Sequence, residues 1–216
     1  MTLPIPSDRT RLHRHSERGA PDPAAARAIL DEALTCHLAF LRDGAPVVLP
    51  TIHTRVDDHL YFHGAASNFM LRAAIGQAIC CAVTLVDGLV LARSAFHHSM
   101  NYRSVVVFGE GSEVKDPATK LRVLEALVEH AAPGRLADLP PIADDHVRKT
   151  LVVGMPLREF SCKVRSGPAG FAEREEDPAL WAGVLPLRLA AGAPVTDDRV
   201  PEGVPVPASV AGWARG

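Results

Sequence analysis

The chain has 216 residues, 47% of them hydrophobic and 22% charged, enough apolar material for one cored domain and too much for disorder over most of its length. Twenty-three basic side chains against 25 acidic ones give a formal net charge of -2, and without a sustained basic stripe a nucleic-acid partner is excluded as a first reading. No run reaches the roughly 18 apolar residues of a membrane span, and the N-terminus lacks the apolar segment of a signal peptide, so a cytoplasmic protein without a membrane partner is expected.

Residues 1–20 are polar and rich in Arg and His, an arm that wraps the surface or a partner subunit. The main domain is placed at 21–190. Asp22 is set to cap a helix, Pro23 suits its first turn, and AAARAILDEAL carries apolar residues at helical spacing through Leu34. CHLAFLRD, VVLPTIHTRV and HLYFHG follow as strands, separated by Gly44-Ala45-Pro46 and Asp57-Asp58, in an antiparallel meander. Ser67 or Asn68 caps a short helix, FMLRAAIG, that ends at Gly76. AICCAVTLVDGLVLA reads as a buried hairpin turning at Asp87-Gly88, and NYRSVVVFGEGSEV as a long strand. Asp116-Pro117 opens a third helix that closes near Pro133-Gly134. A short helical stretch from Asp144 to Lys149 and two strands, LVVGMPL and EFSCKVR, come next. Beyond Gly167 the text is loop-like apart from WAGVLPLRL, and 191–216 is a proline-rich tail whose last fifteen or so residues are expected to bury little. Most strands follow one another directly. A doubly wound parallel sheet is therefore ruled against, and a mainly β architecture of α+β type, an antiparallel barrel with peripheral helices, is expected.

Four cysteines, Cys36, Cys80, Cys81 and Cys162, show no C-x-x-C spacing and read as free thiols, Cys80 and Cys81 pointing to opposite faces of a strand. The histidines lack zinc-ligand spacing, so no metal site is expected. Two segments concentrate polar chemistry. In LARSAFHHSMNYRSVVVFG a strand runs into Arg93, Ser94, His97, His98, Ser99, Asn101, Tyr102, Arg103 and Ser104, either a functional loop on a rigid sheet or strand caps at a subunit contact. In HLYFHGAASNFMLRA a strand passes through small residues into a helix start, either an anion site or an ordinary capped helix. G-x-S-x-G, Walker and complete G-x-G-x-x-G signatures are missing, although Gly109-Glu110-Gly111 is a fragment of the last. With no obvious protein-borne nucleophile, a cofactor that carries the chemistry fits an enzyme better.

HGAASNFMLRA, the run VTLVDGLVLARSAFHHSMNYRSVVVFG and the C-terminal CKVRSGP with WAGVLPL together resemble the FMN-binding split-barrel flavoproteins related to pyridoxamine 5'-phosphate oxidase. Within them the chain is most similar to the flavin-nucleotide-binding branch that includes the nitroimidazole-resistance proteins, over residues 8–190. The resemblance implies a six-stranded antiparallel split β-barrel, a homodimer, and one FMN in each of two clefts at the subunit interface. By position, Ser67, Asn68 and Arg72 would face the phosphate, and Thr51, Thr84 and Leu85 would line the flavin ring. His63 would stand beside the ligand. Tyr102, Arg103 and Ser104 would edge the cleft, with Lys163, Arg165 and Trp181 from the C-terminal segment, of the same or the other subunit. Phe69 departs from the family pattern, which often has a basic residue there, and Arg72 or Arg103 would have to supply the missing charge. A deazaflavin or haem is the alternative occupant if neither does.

The implied activity is an oxidoreductase passing electrons from reduced flavin to a small organic acceptor, with His63 as proton donor or as a structural strand-end histidine. The rival is a non-catalytic flavin- or haem-binding protein for storage or sensing. Pyridoxamine 5'-phosphate oxidation itself is disfavoured, because RLAAGAPVTDDR stands where its basic substrate-phosphate motif is expected.

Overall fold

A computed structural model describes residues 7–20, 22–170, 177 and 179–214. Helix α1 (Pro23–Glu32) starts as its sequence predicts: the Asp22 carboxylate accepts the Ala24 N–H at 2.9 Å and proline occupies the first turn. Strands β1 (Thr35–Arg42) and β2 (Ala45–Ile52) form a hairpin that turns at Asp43 and Gly44, both at positive φ. The segment expected as one strand after Pro46 is two. The chain leaves β2 at His53 and enters a second sheet as β3 (Thr54–Val56), which pairs with β4 (His59–Ala65).

Helix α2 (Phe69–Ala74) is capped by Asn68, whose side chain accepts the Leu71 N–H at 3.1 Å, and Gly76 takes the left-handed conformation after it at φ +72°. Strands β5 (Ala78–Leu91) and β6 (Ser99–Glu110) are the longest, followed by β7 (Ser112–Glu113) and by α3 (Pro117–Ala131), capped by Asp116. Helix α4 (Asp144–Lys149) leads into β8 (Thr150–Pro156), β9 (Glu159–Arg165), β10 (Gly183–Pro186) and a final turn of helix, α5 (Ala208–Ala211).

The hairpin expected within residues 78–92 does not form. Asp87-Gly88 makes no turn: β5 runs straight through it, and its pairing with β6 skips from Val86↔Tyr102 to Gly88↔Asn101, which leaves Asp87 as the extra residue of a β-bulge. The strand continues because Gly88 to Leu91 find a second partner in β10. Gly88 permits this approach, since a Cβ there would lie 3.0 Å from the Leu185 carbonyl oxygen.

Two antiparallel sheets result, one ordered β2-β1-β5-β6-β9 with β10 added to β5, the other β3-β4-β8-β7. The main core fills the space between them with Leu30, Leu38, Phe62, Val83, Val105, Val107 and Met155, and a smaller cluster packs Val123 and Val147 of the helices on Val56 and Val152. The fold is thus mainly β with peripheral helices, consistent with a six-stranded split barrel. Among the described residues no helix is long and apolar enough to cross a membrane.

The first and last described segments pack on the domain. Ala20 donates its N–H to the Cys162 carbonyl at 3.0 Å, Arg9 binds Glu159 and lies over the Phe108 ring, and the arm thereby lines the β9 edge of its own chain. At the other end Trp213 donates its indole N–H to the Ala131 carbonyl at 2.9 Å, so the tail makes more contact than its proline content suggests. His53 deserves its place at the sheet crossover. It is fully buried, and its Nε2 bonds the Leu30 carbonyl at 2.9 Å, one of the acceptors that the end of α1 leaves unpaired. We expect His53→Ala to lower stability by about 2–3 kcal/mol, from the void and the orphaned carbonyl together, as read by urea unfolding.

Candidate functional site

The strand registers gather five of the sequence-predicted site residues on two rungs of one sheet face. Thr84, Ser104 and Lys163 stand side by side across β5, β6 and β9, and the next rung but one is Val86, Tyr102 and Arg165. Alternation puts all of them on the face opposite the core: the flanking rung of Val83, Val105 and Cys162 is buried, and the rung between the two, Leu85, Arg103 and Val164, points the other way. The same outer face carries Leu41, Val48, Val86 and Met100, each between 42% and 57% exposed. It is a broad apolar surface with a polar, basic corner.

Beside that corner the sheet opens into a cavity of about 520 Å³. Its floor is Thr84, Leu85 and Val86, one wall is Glu32 and Leu34 from the end of α1, and the roof is Pro186 to Leu189. The roof is fixed by the Leu187 N–H, which donates to the Asp87 carbonyl at 3.0 Å. Arg103 lies at the polar edge. Its guanidinium grips both carboxylates there, Nε and Nη2 donating to Asp87 at 2.9 and 2.7 Å, and Nη1 and Nη2 to Glu32. These bonds, Glu32 first and Asp87 second, raise its already high pKa.

Arg103 is therefore committed, and it does not supply the charge that Phe69 lacks. A phosphate would have to displace two carboxylates to reach it. The cation at Phe69 comes from elsewhere: the Arg42 guanidinium sits 5.0 Å over the Phe69 ring. Sequence reasoning missed Arg42, Glu32 and Asp87, because no local pattern connects the end of β1 with α2, or α1 with a bulge in β5.

The remaining predicted residues lie outside this cavity. Ser67, Asn68 and Arg72 are together at the start of α2, with Asn68 engaged as the cap and Arg72 Nε donating to the Ala66 carbonyl. His63 is in the second sheet, in register with Val152; its Nδ1 is buried without a partner, and burial lowers its pKa. Thr51 is half-buried on β2, its hydroxyl 3.4 Å from the Ile52 carbonyl. Lys163 and Arg165 are partly occupied, the first by the Arg14 carbonyl, the second by Asn101 and the Pro168 carbonyl. Trp181 is 67% exposed and lies against Gly183.

The thiols are free, and Cys81 is buried while Cys80 is on the outer face, as the alternation predicts. Cys36 is the unusual one. The neighbouring Cys81 thiol outweighs burial and, with help from His53, holds the Cys36 pKa below the usual thiol range.

Size and lining suit a flat heterocycle: apolar walls with a few fixed polar groups at one edge. They do not suit an iron porphyrin, since none of the lining residues is His, Cys or Met.

The comparisons with known proteins bear on the family and the fold. The family model described as pyridoxamine 5'-phosphate oxidase matches residues 22–164. Among solved structures, the flavocytochrome Anf3 from Azotobacter vinelandii is similar at 35% identity and a TM-score of 0.89, covering 99% of this chain and 100% of its own. An FAD and haem binding protein from Mycobacterium smegmatis is 33% identical with a TM-score of 0.86, covering 92% of this chain and 98% of its own. A putative 5-nitroimidazole antibiotic resistance protein from Bacteroides thetaiotaomicron shares the fold at 23% identity and a TM-score of 0.56, covering 68% of this chain and 86% of its own. No curated protein matches. On the extent of the family match and the full-length likeness, the chain belongs to the flavin-binding, pyridoxamine 5'-phosphate oxidase-like family.

Proposed function

We propose that this protein is a flavin-dependent oxidoreductase that works as a homodimer, with the isoalloxazine ring in the Thr84–Arg103 cavity and a small organic molecule as electron acceptor. The observation that carries the reading is the cavity itself, where Thr84, Leu85 and Arg103 meet apolar walls of a size that takes a flavin ring. The flavin supplies the redox chemistry when bound. Leu34, Leu85 and Leu187 hold the ring and exclude water, and the Arg103 edge orients it. The basic corner of Lys163 and Arg165 is the place for a phosphate, since these cations spend their hydrogen bonds on neutral oxygens while Arg103 is neutralised.

A second copy of the chain is the natural cover for the outer face. Leu41, Val48, Val86 and Met100 leave it more apolar than a free surface tends to be, and the polar corner lies on the same face. FMN is the form implied by the sequence resemblance. FAD is favoured by the Mycobacterium smegmatis relative, described as binding FAD and haem.

That relative and the flavocytochrome also favour a second reading, in which haem is bound as well. It would lie outside the ring cavity, which offers no iron ligand. One purification decides between them. The absorption spectrum, chromatography of the released cofactor and light scattering are expected to give a flavin spectrum, FAD and the mass of a dimer. A Soret band establishes the second reading. A monomer that takes up no flavin on reconstitution overturns both.

A further inference from the structure

Asp87 was expected to make a turn and instead occupies the bulge of β5, with an effect that local structure alone does not need. A bulge re-aims the side chain of its extra residue. Here it sends the Asp87 carboxylate to Arg103 and leaves the Asp87 carbonyl to anchor the Leu187 N–H of the cavity roof. Glu32, at the last residue of α1, grips the guanidinium from the other side. Two carboxylates therefore converge on one guanidinium, Arg188 of the roof brings a second cation to the lining, and four of the five N–H groups of Arg103 are spoken for. The remaining N–H belongs to Nη1.

We propose that Asp87 and Glu32 are positioning residues that lock Arg103 in one orientation and make this edge of the cavity read the uncharged donor and acceptor edge of a flavin ring, while turning phosphate away. The proposal rests on the ring-in-cavity reading above. A free guanidinium at a cavity edge binds phosphate well. One held between two carboxylates does not, because the anion would have to displace them from the guanidinium. It still presents a fixed hydrogen-bond donor to a neutral carbonyl, beside carboxylates able to accept from a ring N–H. Each carboxylate opposes the negative charge that a flavin gains on reduction, so either one holds the reduction potential below the value its neutral amide would give.

The test uses the full-length protein and riboflavin, the ring without a phosphate, as the probe. Titration is followed by quenching of flavin fluorescence, and the midpoint potential of the loaded protein by spectroelectrochemistry. Asp87→Asn and Glu32→Gln keep the shapes and remove one charge each. Both are expected to weaken riboflavin binding about tenfold, the loss of one charge-assisted hydrogen bond. Both are also expected to move the potential in the positive direction, a shared sign that loss of packing alone does not produce. Variants that remain folded by circular dichroism, yet bind riboflavin within about twofold of wild type or shift the potential negatively, overturn the proposal and leave the ring reading standing. If one variant fails to fold, the other decides. Wild-type protein that binds no riboflavin overturns the ring reading, and the proposal with it.

Discussion

Gly111→Ala is expected to lower the stability of the protein by about 3 kcal/mol and its Tm by about 6–12 °C, read by thermal unfolding in circular dichroism. The reason is backbone, not side chain. Gly111 donates its N–H to the Gln77 carbonyl at 3.1 Å, accepts the Gly76 N–H at 2.8 Å and bridges Ile75, so it is pressed against the end of α2. A Cβ there would fall on the carbonyl of Ala74, which no rotamer change can relieve. The contact pins the end of α2, and so also holds its start, where Ser67 and Asn68 lie. Gly192→Ala is the control: its Cβ would meet open space, and a change within about 0.5 kcal/mol is expected. A Gly111→Ala protein that melts with wild type would show that the junction of α2 with β6 and β7 is not the close packing described.

The same glycine shows how a motif can be legible and its meaning not. Gly109-Glu110-Gly111 reads in the sequence as a piece of a phosphate loop. In the structure Gly111 makes room for a carbonyl and Gly109 for Met155 and Pro156, so both serve packing. What was readable locally came through well. The caps at Asp22, Asn68 and Asp116 are fixed by side chains that bond within three residues, and each is found as expected. The alternation that separates Cys80 from Cys81 is equally local.

Features that depend on distant partners were not legible. Whether Asp87-Gly88 turns or bulges is decided by β10, nearly a hundred residues later, which offers Gly88 to Leu91 a second partner. His53 looks like the middle of one strand, but it ends β2 because the chain must cross to the other sheet there. The family resemblance supplied the fold and pointed to Thr84, Leu85 and Arg103, which do line one cavity. It could not show that Arg103 is held by Glu32 and Asp87, because those bonds belong to this chain's own side chains.

Phe62→Ala is expected to cost about 3–5 kcal/mol, while His63→Gln, one residue along, leaves stability near neutral pH within about 0.5 kcal/mol of wild type. Adjacent strand residues point to opposite faces, so the two substitutions probe different regions of one strand. Phe62 is wholly buried between the sheets, and its removal leaves a void that Leu60, Leu71 and Val105 cannot fill without moving backbone. His63 is half-buried, with an Nδ1 that has no partner to lose. Its burial does leave a mark on the pH dependence. Because the folded pKa is lowered, the unfolded chain holds the proton between that value and the ordinary imidazole value of about 6.5, and stability falls as pH drops through this window. Wild type is therefore expected to lose more stability than His63→Gln between about pH 7 and about pH 5, measured by urea unfolding at each pH. Equal losses would mean that His63 titrates as it does in water, with its imidazole turned out of the sheet. A large loss in His63→Gln at neutral pH would instead give the ring a structural bond that the fold does not show, and would remove the case for testing it as a proton donor.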